Sequence, residues 1–129
     1  MKAKLLGWVF LTFLFLNCSA GASNPLIGVY ASEPDGNPNF RISQADGQYW
    51  AELFEDGKWS VPKKLEESTD KDIAKFFGED MVRHVDSGLI SKDALFAVFK
   101  IDDEFKVAGD WVNSDYMAIM LFPFPVYKL

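Results

Sequence analysis

Between residues 39 and 61 apolar and polar side chains alternate in short runs, and Asp-Gly interrupts them at positions 46–47 and 56–57. Alternation with period two places successive side chains on opposite faces of an extended strand. Asp-Gly suits a two-residue hairpin turn in which both central residues need positive φ. Segments 39–45, 48–55 and 58–61 therefore predict a three-strand meander. With both dipeptides as two-residue turns, Phe40 faces Leu53, Arg41 faces Glu52 and Ile42 faces Ala51. In the second hairpin Phe54 faces Trp59 and Glu55 faces Lys58. Apolar and opposite-charge cross-strand pairs each contribute up to ~1 kcal/mol, so this register reinforces itself. One face then carries Phe40, Ile42, Tyr49, Ala51 and Leu53, and the other Trp50, Phe54, Trp59 and Val61. Both faces need cover.

The period changes after residue 68. Thr69 is a good N-cap, Asp70 and Asp72 suit the positive end of a helix, and Gly78 suits its close. Ile73, Phe76 and Phe77 share one helical face, which predicts a helix over 69–78 covering the second face of the meander. Residues 79–85 fit either a helical extension or a strand, and Asp86, Ser87 and Gly88 read as a turn. Segment 94–99 is apolar on both faces, as a central strand would be. Asp102, Asp103 and Glu104 make an acidic turn, 105–112 a returning strand, and 116–122 a last strand stopped by Pro123 and Pro125. With a first strand at 26–31, the chain reads as α+β and predominantly antiparallel β. The expected architecture is a meander of seven or eight strands curled into a small barrel or half-barrel, with one helix packed on it.

The first residues follow another pattern. Lys2 and Lys4 precede an uncharged run from 5 to 16, and Ala20 and Ala22 follow at the spacing of a cleavage site. This is the layout of a secretory signal peptide over 1–22, leaving a single β-rich domain at 23–129. The run is too short for a membrane span, which needs about 20 apolar residues. Cys18 offers an alternative, lipoprotein processing, that would leave a lipid-anchored envelope protein. Otherwise the product is periplasmic or secreted.

Removal of Lys2 and Lys4 moves the formal charge from −6 to −8, and loss of Cys18 leaves a disulfide-free chain. Aromatic burial must then hold the fold by itself. The acidity argues against nucleic acid, whose phosphates call for a basic face, and against anionic membranes. Membrane contact is expected only through a lipid on Cys18. A basic envelope protein is a compatible partner.

Chemistry is sparse. With one histidine (His84) and no cysteine, segment 23–129 offers no thiol catalysis and no multi-histidine zinc site. It has no nucleophile elbow and no phosphate-cradling glycine loop, so neither catalytic residues nor cofactors nor metals are expected. Asp35, Asn37, Asn39 and Asp46 are spaced like ligands of a calcium loop. Phe40 stands where that loop needs glycine, however, and Pro38 stiffens it, so the segment reads as a turn. Two carboxylates could run a glycosidase-type hydrolysis, but spacing singles out no pair among the acids. Glu66 and Glu67, with Asp102, Asp103 and Glu104, could form a docking face for a cationic partner. Trp50 and Trp111 could line a ligand cavity.

Gly28-Val29-Tyr30, soon after the signal, followed by an antiparallel meander and closing strands that include Phe99-Lys100-Ile101 and 105–111, resembles small exported calycin (lipocalin-like) domains. Those begin on a Gly-x-Trp/Tyr strand. The resemblance spans most of 26–122, with one departure: lipocalins are longer and carry their helix near the C-terminus. It implies a β-barrel and an apolar ligand. The leading functional expectation is a non-catalytic exported binding protein, an inhibitor or immunity-type partner of another envelope protein. The alternatives are a lipocalin-like carrier and an acid-pair hydrolase.

Overall fold

The computed structural model describes residues 24–129. The expected signal peptide and Cys18 lie outside the described residues. Strands β1 (Gly28–Ala31), β2 (Phe40–Ala45), β3 (Gln48–Glu55), β4 (Lys58–Trp59) and β5 (Lys63–Glu67) precede helix α1 (Asp70–Phe77) and a 3₁₀ helix (Glu79–His84). Then follow β6 (Val85–Ser91), β7 (Phe96–Ile101), β8 (Lys106–Val107), β9 (Asp110–Trp111), β10 (Tyr116–Met120) and β11 (Phe122–Lys128). Eight of these strands close into an antiparallel barrel in the order β2-β1-β11-β10-β7-β6-β5-β3, with β3 pairing back to β2. The short β4 hangs on the end of β3, and β8 and β9 form a separate hairpin. Closure gives every barrel strand a neighbour on both sides.

The meander has the register its cross-strand pairs predict: Phe40 opposite Leu53, Arg41 opposite Glu52, Phe54 opposite Trp59 and Glu55 opposite Lys58. Both Asp-Gly turns carry positive φ on both residues, 54° and 76° in the first and 53° and 76° in the second. Thr69 caps α1 with a reciprocal pair: its Oγ1 accepts from the Asp72 amide at 3.1 Å, and its own amide donates to the Asp72 carboxylate at 2.9 Å.

The barrel axis is filled. Leu26, Tyr30, Phe40, Leu65, Leu89 and Val126 are fully or almost fully buried inside it. Phe40 stacks on Tyr30 at 4.9 Å and meets Phe96 edge-on at 5.0 Å. The Tyr30 hydroxyl donates to the Leu26 carbonyl at 2.7 Å. Burial first, and then neighbouring Tyr116, push the Tyr30 phenol far above its ordinary pKa, so it stays a donor.

A second core lies outside the wall. Ile73, Phe76 and Phe77 of α1 rest on Ala97, Phe99 and Ile101 of β7 and on Met117 and Ile119 of β10. This corrects the expected position of the helix. It covers the outer face of β7 and β10, not that of the meander, where Trp59 is instead covered by Phe54 at 4.9 Å and by the Arg41 guanidinium at 4.2 Å. Gly88 of β6 leaves room for the Phe99 ring on which the helix rests, since a β-carbon there would collide with that ring and with the Ser68 hydroxyl.

Three strand assignments also change. Residues 86–88 belong to β6, which absorbs a bulge between Val85 and Ser87 instead of turning. Segment 105–112 folds back on itself as the β8–β9 hairpin, because Ala108 and Gly109 take φ of 54° and 86°. Pro123 and Pro125 do not stop the sheet but lie within β11. They are tolerated because β1 pairs only with Tyr127 and Lys128, so no second ladder calls for their missing N–H groups.

Candidate functional site

Antiparallel order gathers the 60–62 and 92–95 connections, and the single residue Leu121, at one end of the barrel. At this mouth the packing stops short. A hollow of about 350 Å³ opens there, floored by Ala51, Leu53, Phe96 and Met120. Its rim is apolar and solvent-facing: Val61 is 85 % exposed, Leu121 90 %, Leu95 61 %, and Phe122 beside Leu121 is 66 % exposed. Scattered exposed apolar residues are ordinary on protein surfaces. Three from separate connections around one apolar hollow, with Phe122 next to them at the start of β11, form a patch of the kind that marks a binding surface.

The loops are built to hold this arrangement. Met120 pairs directly with Phe122, leaving Leu121 as a one-residue connection at φ 86°. A bulky side chain there costs roughly 1–2 kcal/mol, and such strain clusters where a side chain is held out for use. Ala94, before Leu95, is also left-handed at φ 61°. Asp93 ties that loop down by accepting from the Ser91 hydroxyl at 2.6 Å, the Leu95 amide at 3.0 Å and the Lys63 ammonium at 2.9 Å. Ser60, the other polar residue of the hollow, accepts from the Leu53 amide at 2.9 Å and donates to the Val61 carbonyl at 3.2 Å. The polar groups of the mouth are thus occupied in shaping it, and what faces outward is hydrocarbon.

Asp93 and Asp102 carry a prediction about acid. The Ser91 hydroxyl, then the Lys63 ammonium and the Leu95 amide, hold the Asp93 carboxyl far below the usual carboxylate range. His84 does the same for Asp102 more mildly, through a 3.0 Å contact between Nδ1 and the carboxylate. A carboxyl whose pKa is lowered on folding stabilises the protein above its ordinary value and loses that contribution as pH falls through the lowered one. Thermal midpoints should stay level from neutral pH down to about 5 and fall below about 4. The double variant Asp93→Asn/Asp102→Asn should start lower and fall less steeply. Parallel curves for the two proteins would remove this account.

The residues singled out in the sequence go elsewhere. Trp50 lies on the outer wall of β3, because Tyr49, Ala51 and Leu53 take the inner positions. Trp111 sits exposed in the β8–β9 hairpin, with the Lys106 ammonium 4.1 Å from its ring centre. Alternation along β3 turns Trp50 away from the barrel interior, and Trp111 lies apart from it in the β8–β9 hairpin. Glu66 and Glu67 are exposed on β5, whereas Asp102, Asp103 and Glu104 belong to the turn after β7, two strands away. Asp102 is engaged with His84, and its other oxygen accepts from the Glu104 amide at 2.9 Å. His84 is almost wholly buried, and its Nε2 accepts from the Arg83 guanidinium at 3.3 Å. Both ring nitrogens are therefore engaged. Among the described residues no three acids, histidines or cysteines form a group that could hold a metal ion.

No family model, no curated protein and no solved structure matches this chain. The site accordingly rests on its own geometry. Sequence reasoning passed over Val61, Leu95, Leu121 and Phe122, since an apolar residue inside an apolar run, such as 117–122, reads as core. The available signal was location: Val61 beside Pro62, and Leu95 two residues after Asp93, both fall in turn segments where apolar side chains have little to cover.

Proposed function

We propose that this is a small exported, non-catalytic protein that binds another envelope protein through the apolar mouth of its barrel, in the manner of an inhibitor or immunity-type partner. The observation that carries the reading is the hollow of about 350 Å³ ringed by exposed Val61, Leu95 and Leu121, with exposed Phe122 next to Leu121. Such a rim and hollow suit a partner that offers a protruding apolar side chain, which would seat on Leu53, Phe96 and Met120 while the rim closes over its base. Burial of that kind concentrates binding energy in a few central contacts. The formal charge of −8 on residues 23–129 would steer a basic partner toward the protein without determining its pose.

A second reading, favoured by the size and apolar lining of the hollow, is a carrier of a small apolar ligand. The eight-strand antiparallel barrel is compatible with a calycin-like kinship, which belongs to this reading. Against it stands the filled axis, which leaves only the mouth for a ligand.

The two are separated by charging the rim. Residues 23–129 are immobilised and challenged with envelope extract, in parallel with Leu121→Asp/Phe122→Ser. On the protein-partner reading, the native chain captures one component saturably and the variant binds it roughly 100-fold more weakly, about 2.7 kcal/mol. Both side chains are exposed, so the thermal midpoint should change little. Capture unaffected by the variant, or no saturable capture, would sink this reading. Saturable uptake of a fluorescent fatty acid, abolished by Leu53→Glu, would instead establish the carrier.

A further inference from the structure

A second surface, independent of the mouth, lies on the outer wall where the β8–β9 hairpin leans toward β11. Alternation along β11 sends Phe124 and Val126 into the core and leaves Pro123, Pro125 and Tyr127 outside. These three, with Trp111 and Met117, line a mostly apolar hollow of about 220 Å³ that Asp110 also borders. It adjoins a larger one of about 630 Å³, and the two share Val112, Asn113 and Tyr127. The larger part is polar and carries the carboxylates of Asp35, Asp103 and Asp115 against one ammonium, Lys128. That ammonium is already committed to the Pro25 carbonyl at 2.7 Å.

The two halves form one groove with an apolar, ring-lined end and an anionic end. Its walls are held in place. The Ser114 hydroxyl donates to the Val126 carbonyl and accepts from the Tyr116 amide at 3.2 Å, while the Ile101 amide donates to the Asp115 carbonyl at 2.9 Å. Trp111 is 64 % exposed, and Lys106 occupies only one face of its indole.

We propose that this groove binds a proline-rich, basic segment of a partner protein in the polyproline II conformation. Such a segment is narrow, keeps its shape without internal hydrogen bonds and presents flat rings that fit slots between aromatic and proline side chains. An α-helix, about 10 Å across, would need a broad apolar trough, and the apolar end here is the smaller of the two. The three carboxylates select the flank: a lysine or arginine beside the prolines lies against Asp103 and Asp115, while an acidic flank is repelled. Trp111, an exposed aromatic at the edge of the groove, is the expected anchor.

The test titrates residues 23–129 with a short synthetic oligoproline bearing an arginine at each end, followed by calorimetry and by amide chemical shifts. One-to-one saturable binding is expected, with shifts confined to 34–35, 103, 107–117 and 123–129. Trp111→Ala should weaken it roughly tenfold or more. Asp103→Asn/Asp115→Asn should weaken it severalfold and flatten its dependence on salt. Leu121→Asp should leave it unchanged, which separates this groove from the mouth. Near-ultraviolet circular dichroism checks that each variant keeps its packing. The proposal is overturned if the peptide does not saturate at millimolar concentration, if glutamate-flanked oligoproline binds equally well, if the shifts fall at the mouth, or if a neutral oligosaccharide occupies the groove where the peptide does not.

Discussion

Phe40→Ala should lower the free energy of unfolding by about 3–5 kcal/mol, the range for emptying a large aromatic site in a tight core. The side chain is completely buried and lies between two rings, stacked on Tyr30 at 4.9 Å and edge-on to Phe96 at 5.0 Å. Its loss removes both ring contacts and leaves a void that a closed barrel cannot collapse to fill, because the wall is a continuous hydrogen-bonded ring. A domain of this size has about 5–15 kcal/mol of stability in total, so one substitution consumes a large share. Urea denaturation should show a lower midpoint with an unchanged slope. A loss under about 1 kcal/mol would mean that the barrel axis is less well packed than its burial indicates.

Phe99→Ala should cost a similar amount, about 3–5 kcal/mol, with a different spatial signature. Phe99 is also fully buried but stands on the outer side of β7, where Phe77 meets it at 5.3 Å and Phe76 at 6.2 Å. It is the surface on which α1 is seated. An eight-residue helix is far too short to persist by itself, so its order depends on this docking. Hydrogen exchange should therefore distinguish the two variants. In Phe99→Ala the amides of 70–84 should exchange markedly faster than those of β2 and β3. In Phe40→Ala the protection of barrel and helix should fall together, as expected when the global equilibrium moves. Uniform loss in both variants would mean that barrel and helix unfold as a single unit.

These two sites show how differently the parts of the molecule were legible. The hairpin around Asp46 and Gly47 could be read residue by residue, because positive φ at both turn positions and period-two alternation are local properties of the backbone. The same applies to α1, where Thr69 and Asp72 satisfy each other's amides within four residues. The partner of the helix could not be read in this way. Trp50, Phe54 and Trp59 offer an apolar face much like that of β7, and only the folded structure shows the Phe99 ring lying over Gly88 and meeting Phe76 and Phe77 of the helix. The β11 strand was hidden for a related reason: proline is excluded from a two-sided ladder, and only the tertiary pairing shows that β1 leaves that edge open.

The candidate sites were the least visible part. Leu121 and Phe122 sit in an apolar stretch that any pattern assigns to the core, and it takes the one-residue connection at φ 86° to turn Leu121 into solvent. Val61, Leu95 and Leu121 are separated by 26 residues or more along the chain and meet only because antiparallel strands return their loops to a common end.

Local physics, in short-range turn geometry, capping and alternation, settled from the sequence alone the meander, its register, the helix and the predominance of antiparallel β structure. Closure of the ring, the side of the wall on which the helix rests and the gathering of distant side chains at the mouth were decided by the tertiary structure. Each depends on contacts between segments far apart in the chain, for which the spacing of residues carries no sign.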